Sequence, residues 1–455
     1  MQFDQNSTIV AQATAIGESG IAVVRISGNK SQQIMQQVFK SKHSVAEFES
    51  HKMYYGTVVN HANEIIDEVM AVYMKAPFTY TREDVVEIQC HGSQIIVSAI
   101  IRAIQSYGAR MAEPGEFTYR AFINGRIDLT QAEAINQLIK SKSYYAMKSS
   151  IQQVNGSARQ FYDDIRKELY DIQGELVASL DFPDEYDDIV TKKSILQKCH
   201  HLITILDQAT NEKRIKIINS SAKAVLIGLP NAGKSTILNR LIGYDRAIVT
   251  DIPGTTRDLI TDYYQYKGIN VQITDTAGIR ETNNQIEKIG IQKALNVIDE
   301  SDIKIYVIDN SQPDIPEFIY SPDLIILTKC DICSDKHKFQ IIHDRNISEN
   351  IPVIMSSIDD SKIIEIIKNA VYNKIITLND INDHSFFITQ ERQHEKIVRI
   401  INELRFGIES IENGLYMDIL SSVLTECINT LSSITGENES EEMISYVFNK
   451  FCIGK

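Results

Sequence analysis

The stretch GLPNAGKS, Gly228 to Ser235, carries chemistry in its spacing. It fits G-x-x-x-x-G-K-[ST], follows the apolar run AVLI and opens the helical pattern STILNRLIG. Glycines let main-chain N–H groups close around phosphate oxygens. Lys234 neutralises charge on the outer phosphates, and Ser235 offers an oxygen to Mg²⁺. The N-terminus of the helix that follows adds a positive partial charge. Asn231, Ala232, Gly233, Lys234, Ser235 and Thr236 are therefore candidate nucleotide-binding residues. DTAG, which is Asp275, Thr276, Ala277 and Gly278, ends a second apolar run, INVQIT. An Asp there can hold Mg²⁺ through water, and the Gly278 amide can meet a terminal phosphate. TKCD ends a third run, LIIL. The carboxylate of Asp331 can accept both N1–H and N2–H₂ of guanine, an edge that adenine does not offer.

TKCD resembles the guanine motif NKxD of small GTPases, with Thr328 in place of Asn, followed by Lys329. The replacement removes one amide contact and leaves Asp331 to discriminate. Ser356, Ser357 and Ile358 resemble the last base-contacting loop of such enzymes. Four motifs in order, each at a strand end, predict a GTPase domain. The residue after DTAG is Ile279, where Ras-like enzymes carry a Gln that orients the attacking water. Isoleucine cannot do this, so water must be positioned by another route. Arg257 and Arg280 are candidates for an arginine finger, but the stronger reading of each is a solvated surface charge, since most arginines are exposed.

The elements that must position these residues alternate strand and helix from about Ser220 to Ile376. AKAVLIGL, INVQITDT, IKIYVID, LIILTK and IPVIMSS read as buried, parallel-type strands. Upstream, TIVAQAT, GIAVVRI, MYYGTVV, EVMAVYM and DVVEIQC read as strands, and QIIVSAIIRAIQSYG as a helix stopped by Gly108. A helical pattern runs from Thr130 to about Leu180, resuming after Gly156. Another helix is expected from about Ser194 to Ile218, and the chain is helical again after about Ser385. The fold class expected is α/β and α. It comprises an N-terminal α/β domain, residues 1–118, and a helical bundle domain, 119–219 plus 378–455. A Ras-like P-loop G domain, 220–377, is inserted into the bundle at an exposed loop.

The 455 residues, 43% of them hydrophobic, suffice for cores in roughly three domains. A net charge of −14 argues against loose, sequence-independent binding of nucleic acid over the whole surface. An RNA partner would need a local basic patch or a helper protein. No apolar run approaches ~20 residues, so no membrane span is expected. MQFDQNSTIVAQAT lacks the basic and apolar regions of a signal peptide. The six cysteines are then expected as reduced thiols of a cytoplasmic protein. Cys330 and Cys333 form a CxxC, which alone could be half of a zinc site or a redox pair; with no second CxxC, and with Cys330 inside TKCD, neither use is expected. Cys452, in FCIGK, has three readings: a prenylation box, which Gly454 and Lys455 disfavour; an incidental thiol on a loose terminus; or a reactive group on an arm. In SEEMISYVFNKF, helical spacing puts Met443, Val447 and Phe451 on a stripe that would dock such an arm.

Three signatures carry a wider resemblance: VTDIPGTTRD, EPGEFTYRAFINGRIDLTQAEAI and FCIGK. Together they resemble the MnmE/TrmE family of tRNA-modification GTPases over the whole chain. The resemblance implies an N-terminal domain that binds 5-formyl- or methylene-tetrahydrofolate and forms a homodimer. It implies a flavin-containing partner of the GidA/MnmG type in a heterotetramer, and tRNA as substrate. Carbon 5 of the wobble uridine would receive an aminomethyl-type group from a one-carbon unit. GTP hydrolysis would use K⁺ in place of an arginine finger, with Asn231, Thr250, Ile252 and Thr255 at the ion. Thr256 would join Ser235 on Mg²⁺, and Asp251, Pro253 and Gly254 lie in the same nucleotide-binding loop. Pro253 stands where the family often has a small aliphatic residue. Glu287 is similar to the family's water-orienting acid, the group Ile279 cannot replace. The folate site would comprise Arg25, Glu87, Arg126 and Lys455, with Arg126 where a lysine also occurs, and Cys452 would be a functional thiol nearby. Two other readings compete. A G-domain switch in ribosome or other ribonucleoprotein assembly predicts a basic RNA-binding module, which −14 does not offer. A folate-dependent one-carbon transferase predicts activity without nucleotide turnover.

Overall fold

Alternating burial organises the first sheet. In β2 (Ser19–Ser27) Ala22, Val24 and Ile26 point into a core, and in β6 (Val85–Gly92) Val86, Ile88 and Cys90 do the same. The computed structural model describes residues 4, 6–42, 47–141, 143–182, 188–211, 215–217, 221–243, 261–275, 295–312, 318–332, 351–357, 362–379, 388–414 and 417–454. Two compact units divide the chain: Met1–Ile139, Ser150–Leu206 and Gln390–Lys455 in one, Lys140–Ser149 and Asp207–Thr389 in the other.

In the first unit β1 (Ile9–Gln12), β2, β3 (Phe39–Ser41), β4 (Lys52–Val59), β5 (Ile65–Met74), β6 and β7 (Arg110–Met111) form a sheet of order β3-β4-β5-β6-β2-β1-β7. Its pairs are antiparallel except β1 with β7. α1 (Ser31–Val38) and α2 (Gln94–Gln105) cover one face through Ile34, Met35, Val97, Ile100 and Ile104. α1 and β3 escape the sequence reading: SQQIMQQV is mostly polar, and β3 is three residues long.

α3 (Glu116–Ile123), α4 (Leu129–Lys140), α5 (Tyr144–Val154), α6 (Ser157–Asp181) and α7 (Asp188–Ala209) follow. α6 buries Tyr162, Ile165, Leu169, Ile172 and Leu176, a run of three- and four-residue steps that forms one stripe. α7 spans Asp188–Ala209, beginning before the expected Ser194; Ile388 N–H donates to the Ala209 carbonyl at its end, and residues 215–217 are helical again.

The second unit holds β8 (Ala222–Ile227), α8 (Lys234–Gly243), β9 (Thr261–Tyr266), β10 (Ile269–Asp275), β11 (Ile303–Asp309), β12 (Leu324–Thr328), β13 (Val353–Met355) and α9 (Ile363–Asn379). The sheet order is β13-β12-β11-β8-β10-β9. Five strands are parallel, as their apolar runs predict. β9, hidden in the mixed stretch TDYYQY, adds an antiparallel edge. The carboxyl ends of β8, β10, β11 and β12 lie side by side, which places the glycine loop, Asp275, Asp309 and Thr328 along one sheet edge.

α10 (Glu391–Glu412), α11 (Asp418–Thr435) and α12 (Glu441–Asn449) return to the first unit. Arg392 on α10 forks onto Glu133 of α4 at 2.7 and 3.1 Å and reaches Glu439 at 3.3 Å, fixing the approach to α12. Ser440 caps α12, its hydroxyl accepting from Met443 N–H, and Glu441 and Glu442 suit the positive helix end. No helix among the described residues is long and apolar enough to cross a membrane.

Candidate functional sites: a phosphate loop and a cationic cluster

β8 runs directly into the glycine loop. A Cβ on Gly228 would lie 2.2 Å from the Val307 carbonyl oxygen, so only glycine lets the loop pass β11. Gly233 and Asn231 take positive φ, +94° and +61°, curling the backbone before α8 begins. Lys234 is buried and folds back across the loop, donating to the Gly228 and Leu229 carbonyls at 2.8 Å each. Burial pushes its ammonium below the usual lysine range, and the Asp275 carboxylate partly offsets this. Ser235 Oγ donates to Asp275 Oδ2 at 2.7 Å. A hydroxyl and a carboxylate thus converge at the N-terminus of α8, a hard oxygen donor set of the kind Mg²⁺ takes.

On the other side, Thr328 Oγ1 lies 2.7 Å from the Ala232 carbonyl, tying the end of β12 to the loop. Lys329, at φ +56°, pairs with Asp309 at 2.6 Å. Burial raises the Asp309 carboxyl, but Lys329 and Ser311 together hold it below the usual carboxylate range. Ser356 N–H donates to the Leu327 carbonyl, and Cys330 N–H to the Ser356 carbonyl. Gly233, Thr236, Thr328, Lys329, Ser356 and Ser357 line one cavity of about 70 Å³. Asn231 and Ala232 line a second, of about 370 Å³, beside Asp309. Asp331 is exposed. Asp309 was not singled out from sequence; its signal is an acidic residue ending the strand between β8 and β12. Thr250 to Thr256, Arg257, Thr276 to Arg280, Glu287, Cys333, Ile358 and Lys455 lie outside the described residues.

In the first unit the register of β2 on β6 sets Arg25 opposite Glu87, and Arg25 Nε donates to Glu87 Oε1 at 2.8 Å. The Arg25 guanidinium lies 5.4 Å from the Tyr80 ring centre and 5.8 Å from that of Phe117. Arg126 lies 4.7 Å from the same Tyr80 ring and donates to the Tyr80 carbonyl. Tyr80 is held by a 2.9 Å hydrogen bond to Thr118. Two guanidinium groups therefore lie by one tyrosine ring, with Glu87 paired to one of them, a set that can meet an anionic group on a ligand. Tyr80, in the turn stretch PFTYTRED, is not among the residues that the sequence singles out, and Phe117 is fully buried in a small core cluster with Ile9, Ala11 and Ala112.

Cys452 is exposed, yet the tail around it is docked. Gly115 N–H donates to the Cys452 carbonyl at 3.4 Å. Val447, Phe448 and Phe451 pack on Leu129 and Ala132, with Phe448 fully buried against Tyr119 and Phe122. Met443 stands outside this cluster and lines a polar cavity with Arg392 and Tyr446; the buried face of α12 is centred one residue on, at Ile444 and Phe448. Among the described residues no group of three or more His, Cys, Asp or Glu gathers as metal ligands.

A parallel sheet feeding a glycine phosphate loop, with Ser235 and Asp275 joined at a helix N-terminus, defines a Ras-like P-loop G domain. Residues 8–126 match the GTP-binding protein TrmE N-terminus, and residues 129–452 match the MnmE helical domain. The tRNA modification GTPase MnmE of Natranaerobius thermophilus is 37% identical over 98% of this chain and 99% of its own length. Its counterpart in Acetivibrio thermocellus is 37% identical over 99% of this chain and 100% of its own length. That of Lactiplantibacillus plantarum is 35% identical over 100% and 99%. Among solved structures, the G domain of the T. maritima FeoB iron transporter covers 34% of this chain and 99% of its own, at 23% identity and a TM-score of 0.25. The chain belongs to the MnmE family of tRNA modification GTPases.

Proposed function

We propose that this chain hydrolyses GTP within an assembly that modifies carbon 5 of the wobble uridine of certain tRNAs. The observation that carries the reading is the convergence of Lys234, Ser235, Asp275 and Thr328 on one glycine loop, in a chain of this family. Lys234 would turn from the loop carbonyls to the phosphates, whose charge would offset the effect of burial on its ammonium. Ser235, with Thr256, would hold Mg²⁺, which neutralises charge on the transferred phosphoryl group. Asn231 with Thr250, Ile252 and Thr255 would hold K⁺, and Glu287 would orient water. Asp331 would read the guanine edge.

Arg25, Glu87, Arg126 and Lys455 would bind a reduced folate, with Tyr80 beneath the two guanidinium groups and Cys452 near the one-carbon unit. In this reading the domains are 1–118, 119–219 with 378–455, and 220–377. The protein works in the cytoplasm as a homodimer with a flavin-containing partner, which supplies the redox chemistry. Mass analysis of wobble uridines from cells lacking this chain tests the reading. Loss of the aminomethyl-type group is expected, with rescue by the wild-type gene but not by Lys234→Ala. An unchanged nucleoside profile would overturn it.

A further inference from the structure

We infer that this chain reads guanine without using purine N7, because Thr328 is a positioning residue of the phosphate loop and not a reader of the base. The inference rests on the GTP reading above. Thr328 is buried, and its Oγ1 faces two carbonyl oxygens, Ala232 at 2.7 Å and Ile308 at 3.2 Å. A hydroxyl has one hydrogen, and both neighbours are acceptors, so that hydrogen stays on the main chain. Its methyl group fills the space beside Gly233; a Cβ built on Gly233 would sit 3.4 Å from Thr328 Cγ2. Both ends of the side chain therefore support the loop.

Purine N7 only accepts hydrogen bonds. An asparagine at this position would carry two N–H donors, enough to tether the loop with one and offer the other to N7. Threonine cannot do both. Two adjacent main-chain donors are engaged as well: Cys330 N–H on the Ser356 carbonyl, and Ser356 N–H on the Leu327 carbonyl. Thr328 nevertheless lines the same cavity as Ser356 and Ser357, so its neighbourhood is the base-side one. Guanine selection then falls on the Watson–Crick edge, through the exposed carboxylate of Asp331.

The test is competition of GTP and 7-deaza-GTP against a fluorescent guanine nucleotide on the full-length chain, with Mg²⁺ present. The two are expected to bind within about twofold of each other, since a used N7 contact would be worth about 2- to 10-fold. Thr328→Ala is expected to weaken both by the same factor, because the tether it removes never touches the base. A wild-type preference for GTP above about twofold would overturn the inference, as would a Thr328→Ala variant that weakens GTP but spares 7-deaza-GTP. Failure of the wild-type chain to bind either nucleotide overturns the GTP reading itself, and is distinguishable from both.

Discussion

Gly454 approaches Gln12 so closely that no side chain fits between them: a Cβ on Gly454 would lie 2.0 Å from the Gln12 carbonyl oxygen. Gly454 also sits at φ +91°, where a residue with a Cβ pays roughly 1–2 kcal/mol. With the Gly115–Cys452 hydrogen bond, this fastens the tail to β1 and the start of α3. Gly454→Ala should release the tail. Limited carboxypeptidase digestion should remove its last residues at least about tenfold faster, the factor that such a cost implies. GTP turnover, located in the other unit, should stay within about twofold. Wild-type digestion kinetics would show that the tail tolerates the side chain.

The phosphate loop was legible in the sequence because its chemistry fixes backbone conformations that few residues adopt. Gly228 and Gly233 answer to a close carbonyl and a positive φ, and each is visible as a letter. The cationic cluster was not legible in this way. Arg25 and Glu87 are 62 residues apart and meet only through the register of β2 on β6, which no local pattern encodes. Tyr80 stands in a turn stretch with no periodic pattern to mark it, and Asp309 looks like the polar end of a strand. Of the stripe read on α12, Val447 and Phe451 dock as expected, while Ile444 takes the place expected of Met443; both are apolar, and only packing on Leu129 and Tyr119 chooses between them.

GTP hydrolysis should depend on K⁺. Ile279 removes the usual water-orienting Gln, and a fixed monovalent cation can stabilise charge that develops on the phosphates. Turnover measured in matched K⁺ and Na⁺ buffers should differ by more than about tenfold, and Asn231→Ala should abolish the difference. Equal rates in the two salts would exclude the role assigned to the ion.

Glu287→Ala should leave GTP affinity within about twofold of wild type and slow hydrolysis by roughly 10²–10⁴-fold, the usual contribution of a general acid–base group. Nucleotide binding and single-turnover hydrolysis are measured separately. Weakened binding with intact turnover would contradict the assignment.

The buried thiols should be inert. Burial pushes Cys90 and Cys199 up to about 11 and Cys427 up to about 12. Since the unfolded thiols ionise near 9.0, the folded state holds these protons longer. Their contribution to stability is therefore complete below about pH 9 and is lost as pH rises toward about 11–12. Urea midpoints should fall across that window. In maleimide labelling at pH 8 followed by peptide mapping, exposed Cys452 should react first, and Cys90, Cys199 and Cys427 only after denaturation. Labelling of Cys427 in the native protein at the rate of Cys452 would mean that α11 opens readily.

Cys452→Ser separates the two activities assigned to the chain. The side chain is exposed, while its flanking residues do the anchoring: Phe451 in the aromatic cluster, Gly454 against Gln12, and the Cys452 main-chain carbonyl on Gly115. Serine preserves the backbone and nearly the volume, so the tail should stay docked and the melting temperature should stay within about 2 °C, as expected for an exposed change worth under about 0.5 kcal/mol. GTP turnover should match wild type. Wobble-uridine modification should nevertheless fail in a strain carrying only this variant, because a hydroxyl lacks the acidity and nucleophilicity of a thiol. Docking is checked in the same preparation by the carboxypeptidase assay used for Gly454→Ala. A docked tail with normal modification would reduce Cys452 to an incidental surface thiol, and the functional role of the arm would then rest on Lys455 alone.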